Sequence, residues 1–351
     1  MPLTDSSGEP VSRPSPRSST VQRVVAVVLP LILALAFLWL ALRSIEWADV
    51  QETLKRTAVA KLAVVAVIGV ATVALRSLRW HGMLRDGGDV KWRDALYATT
   101  IGQAANSVLP ARIGDAARIF MVSSRSTVSV AYAVATLLAE RVADLVALIV
   151  IASGLILASP VELGWLRGAA VPVVGLCVAV VAAIGVLPRY PSLPGRLSSA
   201  LPLSPAARQR IARIGTESLR GLASLHRPRR FAAFAGLTVV IWSMDALATM
   251  VAASAMGIAI PPVAAFVLLT ALGLGSALPS TPGYVGIYQF AAITALTPFG
   301  VTRSQALAYI LVVQAVLLLL MALLAPLAFV GYRTAAAADT AARHRVTRRS
   351  P

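Results

Sequence analysis

The sequence predicts an all-α, polytopic membrane protein, and three observations carry that prediction. Apolar runs of about 20 residues recur along the chain, only 13% of its 351 residues are charged, and those charges gather between the runs. A bilayer core about 30 Å thick takes ~20 apolar helical residues per crossing. A soluble domain carries roughly a quarter charged residues. The net charge of +17 lies mainly in loops and tails, where anionic headgroups and the positive-inside rule account for it. No basic motif with interleaved aromatics or zinc spacing accompanies it, so nucleic acid is not an expected partner.

Taken in order, residues 1–23 are rich in Ser, Pro and Arg and read as a disordered cytoplasmic tail. Val24–Leu42 follows Arg23, exceeds a signal-peptide core and lacks a small-residue cleavage site, so it reads as a retained span. Five more segments are long enough to cross: Leu62–Leu78, Thr127–Leu157, Ala169–Leu187, Phe231–Met256 and Ala306–Val330. Two stretches are interrupted, Ala95–Phe120 at Pro110 and Val263–Phe299 at Pro279 and Pro282-Gly283. Each reads as a re-entrant hairpin turning back at its break, the second equally as two full spans, giving eight. The chain thus divides into a first membrane half (24–187), a basic loop (188–230), a second half (231–330) and a basic tail (331–351).

Charge sets the orientation. With six crossings, 25 Lys and Arg fall on the side of both tails and 6 on the other, with Arg141 inside a span. Both termini are therefore expected in the cytoplasm of a plasma-membrane protein. Pro188–Arg230 carries nine Arg and one Glu. It reads as an amphipathic helix on anionic phospholipid or as a solvated linker.

A short motif repeats. Asn106-Ser107-Val108-Leu109-Pro110 is echoed by Gly275-Ser276-Ala277-Leu278-Pro279, each followed within a few residues by glycine (Gly114; Gly283). A second echo pairs Ser129-Val130-Ala131-Tyr132-Ala133 with Ser304-Gln305-Ala306-Leu307-Ala308. One crossing between the halves inverts the second relative to the first. Matched helix breaks in inverted halves point to a midplane site of transporter type.

Around these breaks, Arg112 and Arg118 flank a resuming helix whose free N–H groups, with Gly114, suit a lipid phosphate. Asp115 is expected to pair with one of them, and Asn106 to hydrogen-bond the broken backbone. Glu140, Arg141 and Asp144 sit inside a span, where each charge costs ~2.5–3.5 kcal/mol without partners or water. Arg141–Asp144 is the expected pair, Glu140 the expected carboxylate for a cationic headgroup or a coupling proton, and Asp245 a further partner. Arg76, Arg79 and Trp80 read as an interface anchor. Tyr284, Tyr288 and Gln289 follow the second break and could line a cavity. No nucleophile elbow, phosphate loop or His–carboxylate cluster is present, and His81, His226, His344 and Cys177 offer no metal spacing. No catalytic residue, metal or cofactor is expected.

Several motifs together resemble the lysylphosphatidylglycerol synthase transmembrane-region family, flippase-like integral membrane proteins. They are Arg76-x-x-Arg79-Trp80, then Gly102-x-x-x-Asn106-x-x-Leu109-Pro110-x-Arg112-x-Gly114-Asp115-x-x-Arg118, then Glu140-Arg141-x-x-Asp144. In the second half they are Leu278-Pro279-x-x-Pro282-Gly283-x-x-Gly286. The resemblance implies handling of lipids with polar headgroups, and in bifunctional members movement of aminoacylated phospholipid between leaflets. The cytosolic aminoacyl-transferring domain of those members is not expected here. Gln314 stands where many relatives are expected to carry Arg. The resulting expectation is a flippase for a phosphate-containing aminoacylated or glycolipid. The alternatives are a membrane-embedded transferase, or an accessory subunit that recruits a cytosolic lipid-modifying enzyme.

Overall fold

The computed structural model describes residues 31–109, 112–159, 165–186, 189–190, 192–199, 204–223, 228–278 and 281–347. Among them every regular element is a helix. They are α1 (Leu31–Leu42), α2 (Trp47–Lys55), α3 (Val59–Leu84), α4 (Trp92–Val108), α5 (Ile113–Ser123), α6 (Val130–Ala158) and α7 (Trp165–Val186). There follow α8 (Leu193–Ser199), α9 (Pro205–Ala223), α10 (Pro228–Ala255), α11 (Pro262–Gly275), α12 (Ile287–Leu296) and α13 (Arg303–Thr347). Among the described residues, α3, α6, α10 and the Arg303–Ala335 part of α13 are long and apolar enough to cross a membrane. The bent pair α1–α2, angled at 86°, adds a fifth if it is one span.

Two expectations change here. The first span, of which residues 24–30 lie outside the described residues, does not run into a loop: the chain turns after Leu42 and resumes as α2. Trp47–Lys55 is polar overall but amphipathic, with Val50 and Thr53 buried on one face. Of the expected span 169–187, the residues up to Val186 fall in α7, which carries Pro172 inside it, and Leu187 lies outside the described residues. In the basic loop, α9 packs along α6 and places Glu217 beside Ser129, the N-cap of α6.

Both interrupted stretches fold back on themselves. α4 ends at Val108, Leu109 is extended and Arg112 is left-handed (φ 53°), and α5 then returns along α4. The two helices touch backbone to backbone at Gly102 and Gly114, where a methyl at 114 would overlap the Gly102 carbonyl oxygen. Pro110 itself lies outside the described residues. In the second stretch α11 ends at Gly275, Pro282–Tyr284 form one tight 3₁₀ turn, and α12 returns beside α11 with Ile287 against Gly275. Pro279 lies outside the described residues. At 1.5 Å per residue, α5, α11 and α12 reach ~15–21 Å, short of a bilayer core.

The hairpins open at opposite ends of the bundle. α4–α5 opens at the end where α3 finishes and α6 starts. α11–α12 opens where α10 finishes, at the end where Ala58 N–H donates to Ala255 O (2.7 Å) and Lys61 Nζ to Ser254 O (3.1 Å). α13 runs past both. Its start is tied to α1 by Arg303 donating to Leu40 O (3.0 Å) and by Glu46 N–H donating to Ser304 Oγ (3.2 Å). Further along, Arg125 bonds Asp94 (3.0 Å) and the Tyr332 carbonyl (2.9 Å), tying α13 to the mouth of the first hairpin.

Candidate functional site

The hairpin tips meet in the middle of the bundle. Arg112 Nε donates to Ser276 O (3.0 Å) and Nη2 to Ser276 Oγ (2.5 Å), while Gly283 approaches the Ser107 carbonyl. Besides glycines, the described residues with positive φ are Ser44, Arg112 and Tyr284. The last two stand one on each tip, so both turns hold side chains in a conformation that costs ~1–3 kcal/mol. Beside them lies a cavity of about 370 Å³ whose wall includes Arg76, Asn106, Arg112, Arg141, Asp245 and the parallel-stacked Tyr284 and Tyr288 (centroids 4.6 Å).

Around the cavity a buried ion network ties α3, α5, α6 and α10 together. Three and four residues apart on α3, Arg76, Arg79 and Trp80 share a face. Arg79, 2% exposed, bonds both Asp144 oxygens (2.6 and 3.0 Å), Glu140 (2.9 Å) and Thr238 (2.8 Å). Glu140 also accepts from Arg118 (3.0 Å), which lies over the Trp80 ring at 3.8 Å. Trp242 donates its indole N–H to Asp144 (3.0 Å) and stacks under Arg76, which pairs with Asp245 (2.5 Å). Arg141 pairs with Asp115 (2.8 Å), and Asn106 donates to the same carboxylate oxygen (2.9 Å). Taking ions out of water costs several kcal/mol each, and two guanidiniums on Glu140, with two guanidiniums and an indole on Asp144, offset that cost.

This arrangement corrects several expectations. Arg79 and Trp80 are buried at the centre of the network rather than anchoring an interface. Arg118 lies beneath the cavity wall, held by Glu140, and is not positioned for a phosphate there. Gly114 serves the close crossing of α4 and α5. Glu140, enclosed by two guanidiniums, has no face toward the cavity. Arg141 turns to Asp115 instead of Asp144, because that carboxylate is occupied by Arg79. Asp115 thereby meets Arg141, not Arg112 or Arg118, and Asn106 serves Asp115 rather than broken backbone. Gln289, 4% exposed, caps α12 by accepting from Gly286 N–H (2.7 Å) and donates to Gln314 (2.6 Å). Gln314 in turn donates to the Gly283 carbonyl (2.8 Å), so it braces the second tip from α13.

Of the expected residues, Arg112, Arg141, Asp245, Asn106, Tyr284 and Tyr288 share the cavity wall. Arg112 differs from Arg76 and Arg141, the other guanidiniums on the cavity wall: its bonds go to a neutral serine, and among the described residues no carboxylate forms an ion pair with it. Sequence reading missed Arg76 as a wall residue, Arg79 as the hub and Ser276 as the partner of Arg112. The signal for Arg79 was present as charge arithmetic, since two buried acids four residues apart on α6 require cations from another helix.

The chain resembles known proteins in ways that fit this geometry. No solved structure gives a match. The glycosyltransferase AglD of Haloferax volcanii is 30% identical over 335 residues, covering 84% of this chain and 52% of that protein. The chain therefore spans about half the length of that relative. Residues 27–325 match the family described as the lysylphosphatidylglycerol synthase TM region, across both hairpins and the whole ion network. This multi-pass membrane chain belongs to the lysylphosphatidylglycerol synthase transmembrane-region family.

Proposed function

We propose that this chain moves a phosphate-bearing lipid between bilayer leaflets, holding its headgroup at the cavity where the hairpin tips meet. The observation that carries the reading is Arg112. It is a guanidinium that among the described residues forms no ion pair with a carboxylate, on a strained tip, facing a cavity that also presents Arg76, Arg141 and Asp245. A charge so placed is stabilised by an anionic guest, and a guanidinium suits a phosphate through parallel N–H···O bonds. Tyr284, Tyr288 and Asn106 supply neutral polar contacts for the remainder of a headgroup. The two hairpins act as re-entrant elements of an inverted repeat, each short of a crossing, so that tilting either one exposes the cavity to one side. With the basic segments cytoplasmic, α4–α5 opens inward and α11–α12 outward.

Purified protein in liposomes tests this. The parent is expected to accelerate leaflet exchange of labelled phosphatidylglycerol, and Arg112→Gln to lose most of that rate. Loss of one charge-assisted contact of ~1.5–3 kcal/mol corresponds to roughly 10–100-fold weaker retention of the lipid in native mass spectrometry. Equal exchange by parent, variant and empty liposomes for several lipid classes sinks the proposal.

The resemblance to the Haloferax volcanii glycosyltransferase favours a second reading, a membrane-embedded transferase acting on a lipid-linked substrate. Asp245 is the carboxylate on the cavity wall among the described residues and would serve as its acid or base. Product formed from a labelled lipid-linked sugar donor by the parent, and abolished in Asp245→Asn, supports that reading over transport.

A further inference from the structure

Beside this cavity lies a second space of about 530 Å³, and the two share Ser107, Tyr284, Tyr288 and Leu317 in their walls. Its own walls are apolar: Leu38 and Leu42 of α1 face Leu307, Leu311 and Leu318 of α13. The slot is fixed at both ends. At one end Arg303 donates to the Leu40 carbonyl and Ser304 accepts from Glu46 N–H. At the other, Gly286 (φ 86°) brings the second hairpin so close to Ala34 that a methyl at 286 would overlap the Ala34 carbonyl oxygen. Between these two pins Leu311 and Leu318 line the slot and stay 40% and 48% exposed. Of the polar groups in its wall, Gln289 and Gln314 are spent on each other and on the hairpin backbone.

We infer that this slot holds one hydrocarbon chain of the same lipid whose phosphate sits at Arg112, with the chain leaving the cavity between α1 and α13. The inference rests on the proposed headgroup site and adds the path of the tail. An apolar slot that joins a cationic cavity at its inner end and faces bilayer along its side matches an amphiphile with one anionic end. A free phosphate would fill the cavity and leave the slot to bulk lipid. The pins limit the opening to a passage between two helices, so the lipid arrives from the side, without passing through water.

Phosphatidylglycerol carrying a photoreactive diazirine on one acyl chain tests this in proteoliposomes of the full chain, with adducts mapped by mass spectrometry. Adducts are expected to concentrate at least about fivefold on Leu38, Leu311 and Leu318 over Leu319, Leu323 and Leu327, which are exposed on α13 outside the slot. Unlabelled phosphatidylglycerol should compete for the enriched adducts, and Ala315→Trp, which fills the slot from an exposed position, should remove them. Labelling spread evenly over both sets of leucines overturns the slot. Enrichment lost in Arg112→Gln ties head and tail together. Enrichment that persists in Arg112→Gln keeps the slot and overturns the phosphate site instead.

Discussion

Asp144 bears more partners than any other carboxylate of the network, accepting from Arg79 and Trp242 with Arg76 at 3.8 Å. Asp144→Asn leaves the buried Arg79 with Glu140 as its remaining counter-ion, and breaking a buried pair costs ~3–5 kcal/mol. Thermal unfolding in detergent, followed by tryptophan emission, should show a marked drop for Asp144→Asn and a much smaller change for Arg112→Gln. An Arg112 substitution that destabilised as strongly would mean that Arg112 is structural. At Asp115 the expectation runs the other way: Asp115→Asn releases Arg141 into the cavity and should tighten retention of phosphatidylglycerol severalfold. The acids and arginines of α6 stood out in the sequence because charge in an apolar run is costly. Their pairing did not, because helical spacing shows only same-helix neighbours. Arg141 can reach Asp144 on its own turn, yet the fold supplies Asp115 and Arg79 from distant positions.

At the scale of elements, the hairpins depend on contacts that tolerate no extra atom. Gly114→Ala forces a methyl into the Gly102 carbonyl and against the Asn106 backbone N–H, neither of which can swing aside as a side chain would. Overpacking of this kind costs about 1–3 kcal/mol or more. The expected outcome is loss of folded yield in detergent size-exclusion profiles, while Gly82→Ala, with open space around it, remains like the parent. The breaks themselves were legible, since Pro and Gly interrupt apolar runs at matching places in the two halves. The fold-back at each break was legible as a re-entrant hairpin, with two full spans equally open for the second stretch, where α11 and α12 are 14 and 10 residues long. The α1–α2 bend left no trace in hydropathy. Trp47–Lys55 has too few apolar residues to register as membrane-associated, although its Val50 face packs into the large core cluster with Ala41 and Val65.

For the whole molecule, the two hairpins opening at opposite ends make a labelling prediction. With Cys177→Ser removing the single native cysteine, cysteines placed at Asp89 and Ser124 flank the first hairpin, and those at Pro261 and Thr302 flank the second. A membrane-impermeant maleimide should label the first pair from one side and the second pair from the other. Labelling of Asp89→Cys and Ser124→Cys from opposite sides would show that α4–α5 crosses. The excess of Lys and Arg on one side sets the expectation of which end faces the cytoplasm, and this labelling tests it. The meeting of the tips was beyond reach of sequence, because it joins Arg112 to Ser276 across two halves that share only a short motif.

One helix touches both hairpins at separate places. Gln314 on α13 braces the second tip, while Tyr332 is tied to Arg125 and Ser124 at the mouth of the first, and Gly331 lies against Tyr97. Pro326 lies between these attachments and withholds one rung of the helical ladder. Under the proposed transport, α13 would act as a lever with two arms and a joint at Pro326. Stiffening that joint with Pro326→Ala would then couple movements of the two hairpins more strictly, trading independent opening for synchrony.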